Sequence, residues 1–367
     1  MNKQTQKSGD QSTNIQADQM VVNVGIDEKR AREVFQEMNL QLRREYAQEA
    51  LKIANDRVSL FEDSLMPKME QVDGALEAFS DPSFQLLLHE AQKTAACTER
   101  PADYDLLSEL LLHRFKKGDD RVARAGIGYA VDIVDKISDE ALLGLTVAHA
   151  VSNFSPATGE ISQGLDLLDE LYGKIIYREL PTGQQWLDHL DILNAVRLNT
   201  FGGMKKIAEY YPEKLAGYID VGIMKDTENH TKAIEILSSN NLPEQILAEH
   251  SLNSDYLRIQ IPHKAQIESF TLQQTIKSNG GVFLVPVKLT ETQVAALISI
   301  YDLYNQDGGV KQGNIVSFTE EWDSRPHLKT IRKWWDDIPL ALSITSAGQV
   351  LAHANAQRCD SRLPPMN

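Results

Sequence analysis

From Asp27 onward, apolar side chains return at one helical spacing, so the start of the chain's main body must be helical. Phe35, Met38, Leu42, Tyr46, Ala50, Ala54, Val58, Phe61, Leu65, Met69 and Val72 form a stripe whose ten steps cover 37 residues, a mean of 3.7 per step. A strict heptad has steps of about 3.5 and drives a left-handed supercoil, whereas about 3.67 is the eleven-residue repeat. The stripe therefore predicts a nearly straight helix lying on other helices. Asp27 is an acceptable N-cap and Glu28 suits the first turn. Pro67 should break or kink this helix after about forty residues, roughly 60 Å. Such a helix packs inside its own domain or forms a subunit contact.

From Asp73 to about Ser239 the pattern stays helical. Asp81-Pro82 is a cap and first-turn pair opening a helix through Cys97, and Leu106–Phe115 ends at Lys116-Lys117-Gly118. Arg121–Ile137 follows, then a helix capped by Ser138-Asp139-Glu140 and closed by Ser155-Pro156. Ile161–Tyr177, Trp186–Leu198, Met204–Tyr210 and Thr231–Leu237 also read as helices. Joined by loops of about two to eight residues, they pack mostly antiparallel. No repeat period marks a solenoid.

After about Pro243 the texture changes. Tyr256–Ile261 and Val282–Leu289 are strand-like, and Pro286 suits an edge or a bulge. Gln293–Tyr304 and Leu328–Trp335 read as helices, Asn314–Phe318 as a further strand, and Leu340–Thr345 as extended. Ser346 opens a last helix. The fold class expected is mainly α: a multi-helical body with a short N-terminal β element and a small C-terminal α+β domain. In that domain Leu342–Thr345 with Gly348 is similar to the wing of a winged helix. The division expected is 1–8 disordered, 9–25 a β-type self-association segment, 26–240 the helical domain, 241–262 a hinge and 263–367 the α+β domain.

The β-type segment carries alternating Ser12, Asn14 and Gln16 against Thr13, Ile15 and Ala17, followed by Met20–Val24. Two strands of about five residues are marginal alone. Ser12, Asn14, Ile15, Gln16, Val21, Val22 and Val24 are therefore expected to pack on the body or to pair with copies of themselves. The formal charge of −15 argues against a surface that coats nucleic acid or anionic membrane. Two cysteines exclude a disulfide scaffold and fit a reducing compartment. The first residues lack the apolar core of a signal peptide, and the most apolar run, Ala141–Val151, is short for a membrane span. The expectation is a soluble cytoplasmic protein.

The sequence has no GxxxxGK[ST], no GxGxxG after a strand, and no GxSxG, HExxH or CxxC. Gly126 and Gly128 lie in a helical pattern and suit close helix packing. Cys97, beside Ala95 and Ala96, reads as a buried small hydrophobe. The nine histidines are scattered, no two within twelve residues, so no helical pair nucleates a metal site. No metal or cofactor is expected. Asp188, His189 and Asp191 form a compact His–carboxylate group, an acid–base candidate or a solvated helix face. Arg325, Lys329, Arg332 and Lys333 share a helix side and precede Trp334-Trp335. Cations beside aromatics can hold phosphate or a stacked base, while tryptophans beside a proline-broken helix are normally core.

Two segments carry a resemblance. Gly9-Asp10-Gln11-Ser12-Thr13-Asn14-Ile15-Gln16-Ala17 is similar to the GDxSxNIQA opening of a group of uncharacterised bacterial proteins. Ile344–Asn355 resembles that group's closing LTSxGxxIAxAN pattern, with Ala347 in place of a larger residue, and 131–145 and 186–194 resemble its helical middle. The resemblance transfers no catalytic residue; it implies a bacterial stress or antiphage-defence setting. Gly348 permits close approach within the final helix, and Val350, Leu351 and Ala354 form its apolar face.

Three functions follow as expectations. The first is a non-enzymatic, homo-oligomerising scaffold, sensor or partner-binding protein. The second is an effector enzyme with a noncanonical site in the helical body, and the third a nucleic-acid-binding regulator using the basic C-terminal helix. The partners expected are the protein itself and another protein, with neither membrane nor, in the first reading, nucleic acid.

Overall fold

The computed structural model describes residues 26–42, 48–118, 120–278 and 281–366. The N-terminal β element, with Ser12, Asn14, Ile15, Gln16, Val21, Val22 and Val24, lies outside the described residues.

The stripe is shared between two helices, α1 (Glu28–Leu42) and α2 (Gln48–Glu70), not carried by one. Arg32 Nη1 donates to Glu62 at 3.2 Å and the Phe35 and Phe61 rings are 5.8 Å apart. Thirty residues of straight helix would separate Arg32 from Glu62 by about 45 Å. The two helices therefore run antiparallel, with the stripe folded onto itself. Pro67 sits inside α2, which continues to Glu70 because only its last turn lacks the proline's N–H.

Next come α3 (Pro82–Cys97), α4 (Pro101–Lys116), α5 (Arg121–Ile133), α6 (Asp139–Asn153), α7 (Ile161–Ile175) and α8 (Gln185–Ile192). Their starts follow local chemistry. Asp81 accepts from Ser83 and Phe84 N–H, Asp120 from Val122 and Ala123, and Ser138 from Ala141. Helix α8 is shorter than expected. Asn194 takes a positive φ of 55°, and the chain turns into strand β1 (Val196–Asn199) where the spacing suggested more helix. Cys97 is exposed, because it closes α3 off the face that Ala91 and Ala95 bury.

Beyond β1 lie α9 (Ile207–Lys214), α10 (Ala216–Ile219), β2 (Ile223–Met224), α11 (Glu228–Ser239), β3 (Leu247–Glu249) and β4 (Tyr256–Ile259). Then follow β5 (Thr271–Ser278), β6 (Gly281–Lys288), α12 (Glu291–Tyr301), α13 (Gly308–Asp323), α14 (Pro326–Asp336), β7 (Ala341–Ile344) and α15 (Ser346–Cys359). The fold is mainly α with a small α+β part. Strands order as β2-β4-β3, β5 pairs with β6 antiparallel, and Thr290 with Gln293 makes a capping box on α12. Asn314–Phe318, expected as a strand, belongs to α13. There Asn314, Phe318 and Trp322 recur every fourth residue on the buried side, and tertiary packing overrides the β-branched Ile315-Val316 pair.

Two apolar cores divide the chain. One includes Ile223, Leu237, Ile259, Leu297 and Ile300 of the α+β part; the other runs from Ala31 through α1–α10 and takes in α13–α15. The cores thus separate near 222 and again near 305, so the chain leaves the helical body and returns to it. Strand β7 pairs antiparallel with β1, Val196 opposite Ile344, and so is not a wing of the α+β part. Helix α15 is buried on nearly every side among α4, α5 and α6. A Cβ on Gly348 would meet Ala195 O at 2.0 Å, and one on Gly126 would meet Ser346 at 3.3 Å.

Candidate functional site

The segment from Glu179 to Ile192 is held to the body by tryptophans. Trp334 Nε1 donates to Pro181 O at 2.8 Å, and the Trp186 and Trp334 rings stand 5.7 Å apart. A side chain at Gly144 would strike Trp186 at 2.6 Å, so that glycine lets the indole lie against α6. Gly183, at φ 72°, turns the chain into α8.

This segment lines two cavities. One, of about 620 Å³, is lined by Ser138, Glu140, Glu179, Gln185, Asp188, His189 and Ile192. Its lining has three carboxylates and no lysine or arginine. The other, of about 340 Å³, is mostly apolar, lined by Trp186, Trp334, Ile338 and Pro339 together with Lys333 and Asp337. Leu180, Pro181, Thr182 and Trp186 belong to both.

Asp188 and His189 therefore share a cavity, whereas Asp191 is exposed and lines neither. Ser138 N–H donates to His189 Nε2 at 3.1 Å, fixing that nitrogen as an acceptor, and Gln184 donates to Asp188 at 3.0 Å. The ring and the carboxylate hold backbone and amide groups at helix starts rather than each other.

The basic candidates are dispersed. Arg325 pairs with Asp166 at 2.7 Å and Glu321 at 3.2 Å, and Arg332 forms a forked pair with Asp323. Lys329 and Lys333 are exposed, and of the four only Lys333 reaches a cavity described above. The tryptophans are core residues: Trp322, Trp334 and Trp335 are buried, each donating its indole N–H to a carbonyl.

Spacing gave no sign of the buried basic groups. His113, His149 and His353 gather where α4, α6 and α15 meet, and His250 lies beneath α13. Burial pushes His149, His250 and His353 down to about 4. Lys214 Nζ donates to Val151 O at 2.6 Å at the end of α6, and burial lowers it to about 7. Among the described residues no group of three or more His, Cys, Asp or Glu could hold a metal ion, and no helix is long and apolar enough to cross a membrane.

A protein-family model whose description reads only ":-like" matches residues 25–362. The chain belongs to that family. The match takes in the helical body, the α+β part and both cavities, and its description states no activity. No curated protein and no solved structure matches the chain.

Proposed function

We propose that the protein is a self-associating scaffold that captures a partner protein in the groove flanking residues 179–192. One observation carries the capture: an acidic cavity and a mostly apolar slot share the residues of one chain segment. Carboxylates without lining cations attract a lysine or arginine side chain, and the Trp186–Trp334 slot accepts an apolar one. The occupant is thus a partner segment in which a basic and an apolar side chain stand close together. Both volumes suit side-chain-sized to ligand-sized guests.

Self-association rests on the composition of residues 9–25, whose alternating polar and apolar side chains suit pairing between copies. The resemblance of the two chain ends supports a setting in bacterial stress or antiphage defence, tested by phage plating on cells with and without the gene.

The groove is tested by a photoreactive residue at Ile192, which is 76% exposed beside the acidic cavity. A cross-link in cells to one other protein, lost when Glu179→Lys and Asp188→Lys are combined, supports the reading. No adduct, an adduct only to the chain itself, or an adduct indifferent to charge reversal overturns it.

A further inference from the structure

A third cavity, a cleft of about 610 Å³, neighbours the acidic one along the chain, with Asp139 between Ser138 and Glu140 and Arg178 beside Glu179. The start of α4 (Arg100, Ala102, Asp103), Asp139 of α6, Tyr177 and Arg178 after α7, and Asn355 and Arg358 of α15 all line it. Three arginines in one cleft normally serve structure, and Arg100 does. Its Nε donates to Asp103 at 3.0 Å, Nη1 to Asp139 at 2.9 Å and Nη2 to Val134 O at 2.7 Å, so every one of its nitrogens has a partner.

The other two differ. Arg178 uses only Nη1, on the second oxygen of Asp139 at 2.8 Å. Arg358 uses only Nε, on Asn355 Oδ1 at 3.0 Å, and its guanidinium lies over the Tyr177 ring at 5.6 Å. Both Nη groups of Arg358 and the outer edge of Arg178 therefore have no partner among the described residues. Glu99, also in the lining, is answered by Arg57 at 3.2 Å from outside it. Asp103 and Asp139 balance Arg100 and Arg178, so Arg358 remains as uncompensated positive charge. The site combines an excess cation, free guanidinium edges held in place by hydrogen bonds, and an aromatic ring 43% exposed.

We infer that this cleft binds a small phosphate-bearing molecule, its oxygens taken by Arg178 and Arg358 and its organic part lying near Tyr177. Phosphate is favoured over a carboxylate because its three terminal oxygens can receive both guanidinium edges at once. The inference is independent of the partner groove, with which the cleft shares no lining residue.

Calorimetric titration of the full chain with inorganic phosphate, adenosine monophosphate and adenosine tests it. Saturable binding of the monophosphate, weaker binding of phosphate and none of adenosine is expected. Equal affinity for phosphate and monophosphate would assign free phosphate to the same site. Arg358→Gln and, separately, the exposed Arg178→Gln should each weaken binding about tenfold, with unchanged circular dichroism. Absence of saturable binding by both anions, or undiminished affinity in both variants, overturns the assignment.

Discussion

The Nε2 atom of His149 lies 3.3 Å from Nδ1 of His353, and the contact ties α6 to α15 inside the body. Its polarity can be read from the ends. His353 Nε2 faces Pro364 O at 2.9 Å, a pure acceptor, so that nitrogen carries the proton and Nδ1 must accept from His149. His149 Nδ1 in turn accepts from Asn153 Nδ2 at 3.1 Å. The chain is complete with both rings neutral, and a further proton on His353 Nδ1 would point at the N–H of His149. In the unfolded chain an imidazole takes its proton near 6.5, whereas burial holds these two down to about 4. Between those values the unfolded state binds more protons. Stability is therefore full above about pH 6.5 and falls as pH drops towards about 4, by up to about 3 kcal/mol per ring. Urea midpoints measured across that window should decline, and His353→Phe should flatten the decline.

Gly348→Ala should cost about 1–3 kcal/mol or more. The added Cβ would lie 2.0 Å from Ala195 O, which already accepts from Thr345 N and Oγ1 at 3.0 Å. Neither the carbonyl nor the buried helix can retreat without breaking the β1–β7 junction. Thermal unfolding of the variant gives the answer; an unchanged midpoint would show that α15 can shift.

Arg258→Met should destabilise the fold by about 3 kcal/mol or more, since its removal strands several buried acceptors. The guanidinium is buried between the two cores, and its partners among the described residues are all carbonyl oxygens: Gly217 at 2.6 Å, Ile259 at 3.1 Å, Ile261 at 3.2 Å and Gly159. Methionine keeps the stem and loses every donor. Chemical denaturation should show the loss, and limited proteolysis should cut first near 159 and 260.

What was legible in the sequence is what local chemistry decides. Caps at Asp81 and Ser138 place helix starts through side chains two or three residues away from their partners. The antiparallel arrangement of α1 and α2 was hidden because a stripe at 3.7 spacing keeps one face whether the helix is straight or doubled back. Phe35 and Phe61 belong to the same stripe in both arrangements. The pairing of β7 with β1 links residues about 150 apart, which no local signal reports. The same holds for the histidines: 113, 149 and 353 are far apart in sequence and meet only because α15 returns to the centre of the body. At the groove, Asp188-His189 and Lys333-Trp334 were each visible as clusters. That one short segment lines both of their cavities depends on the Trp334–Pro181 contact.

Removing residues 1–25 should lower the mass of the particle in solution. Light scattering on the full chain and on the shortened one makes the comparison, and identical masses would remove the N-terminal segment from self-association.

The most direct measurement is the affinity of the purified full chain for the partner recovered at Ile192, taken across a salt series. The account predicts binding that weakens steadily with salt and falls about tenfold or more when Glu179→Lys and Asp188→Lys are combined. An affinity indifferent to both salt and charge reversal would contradict it.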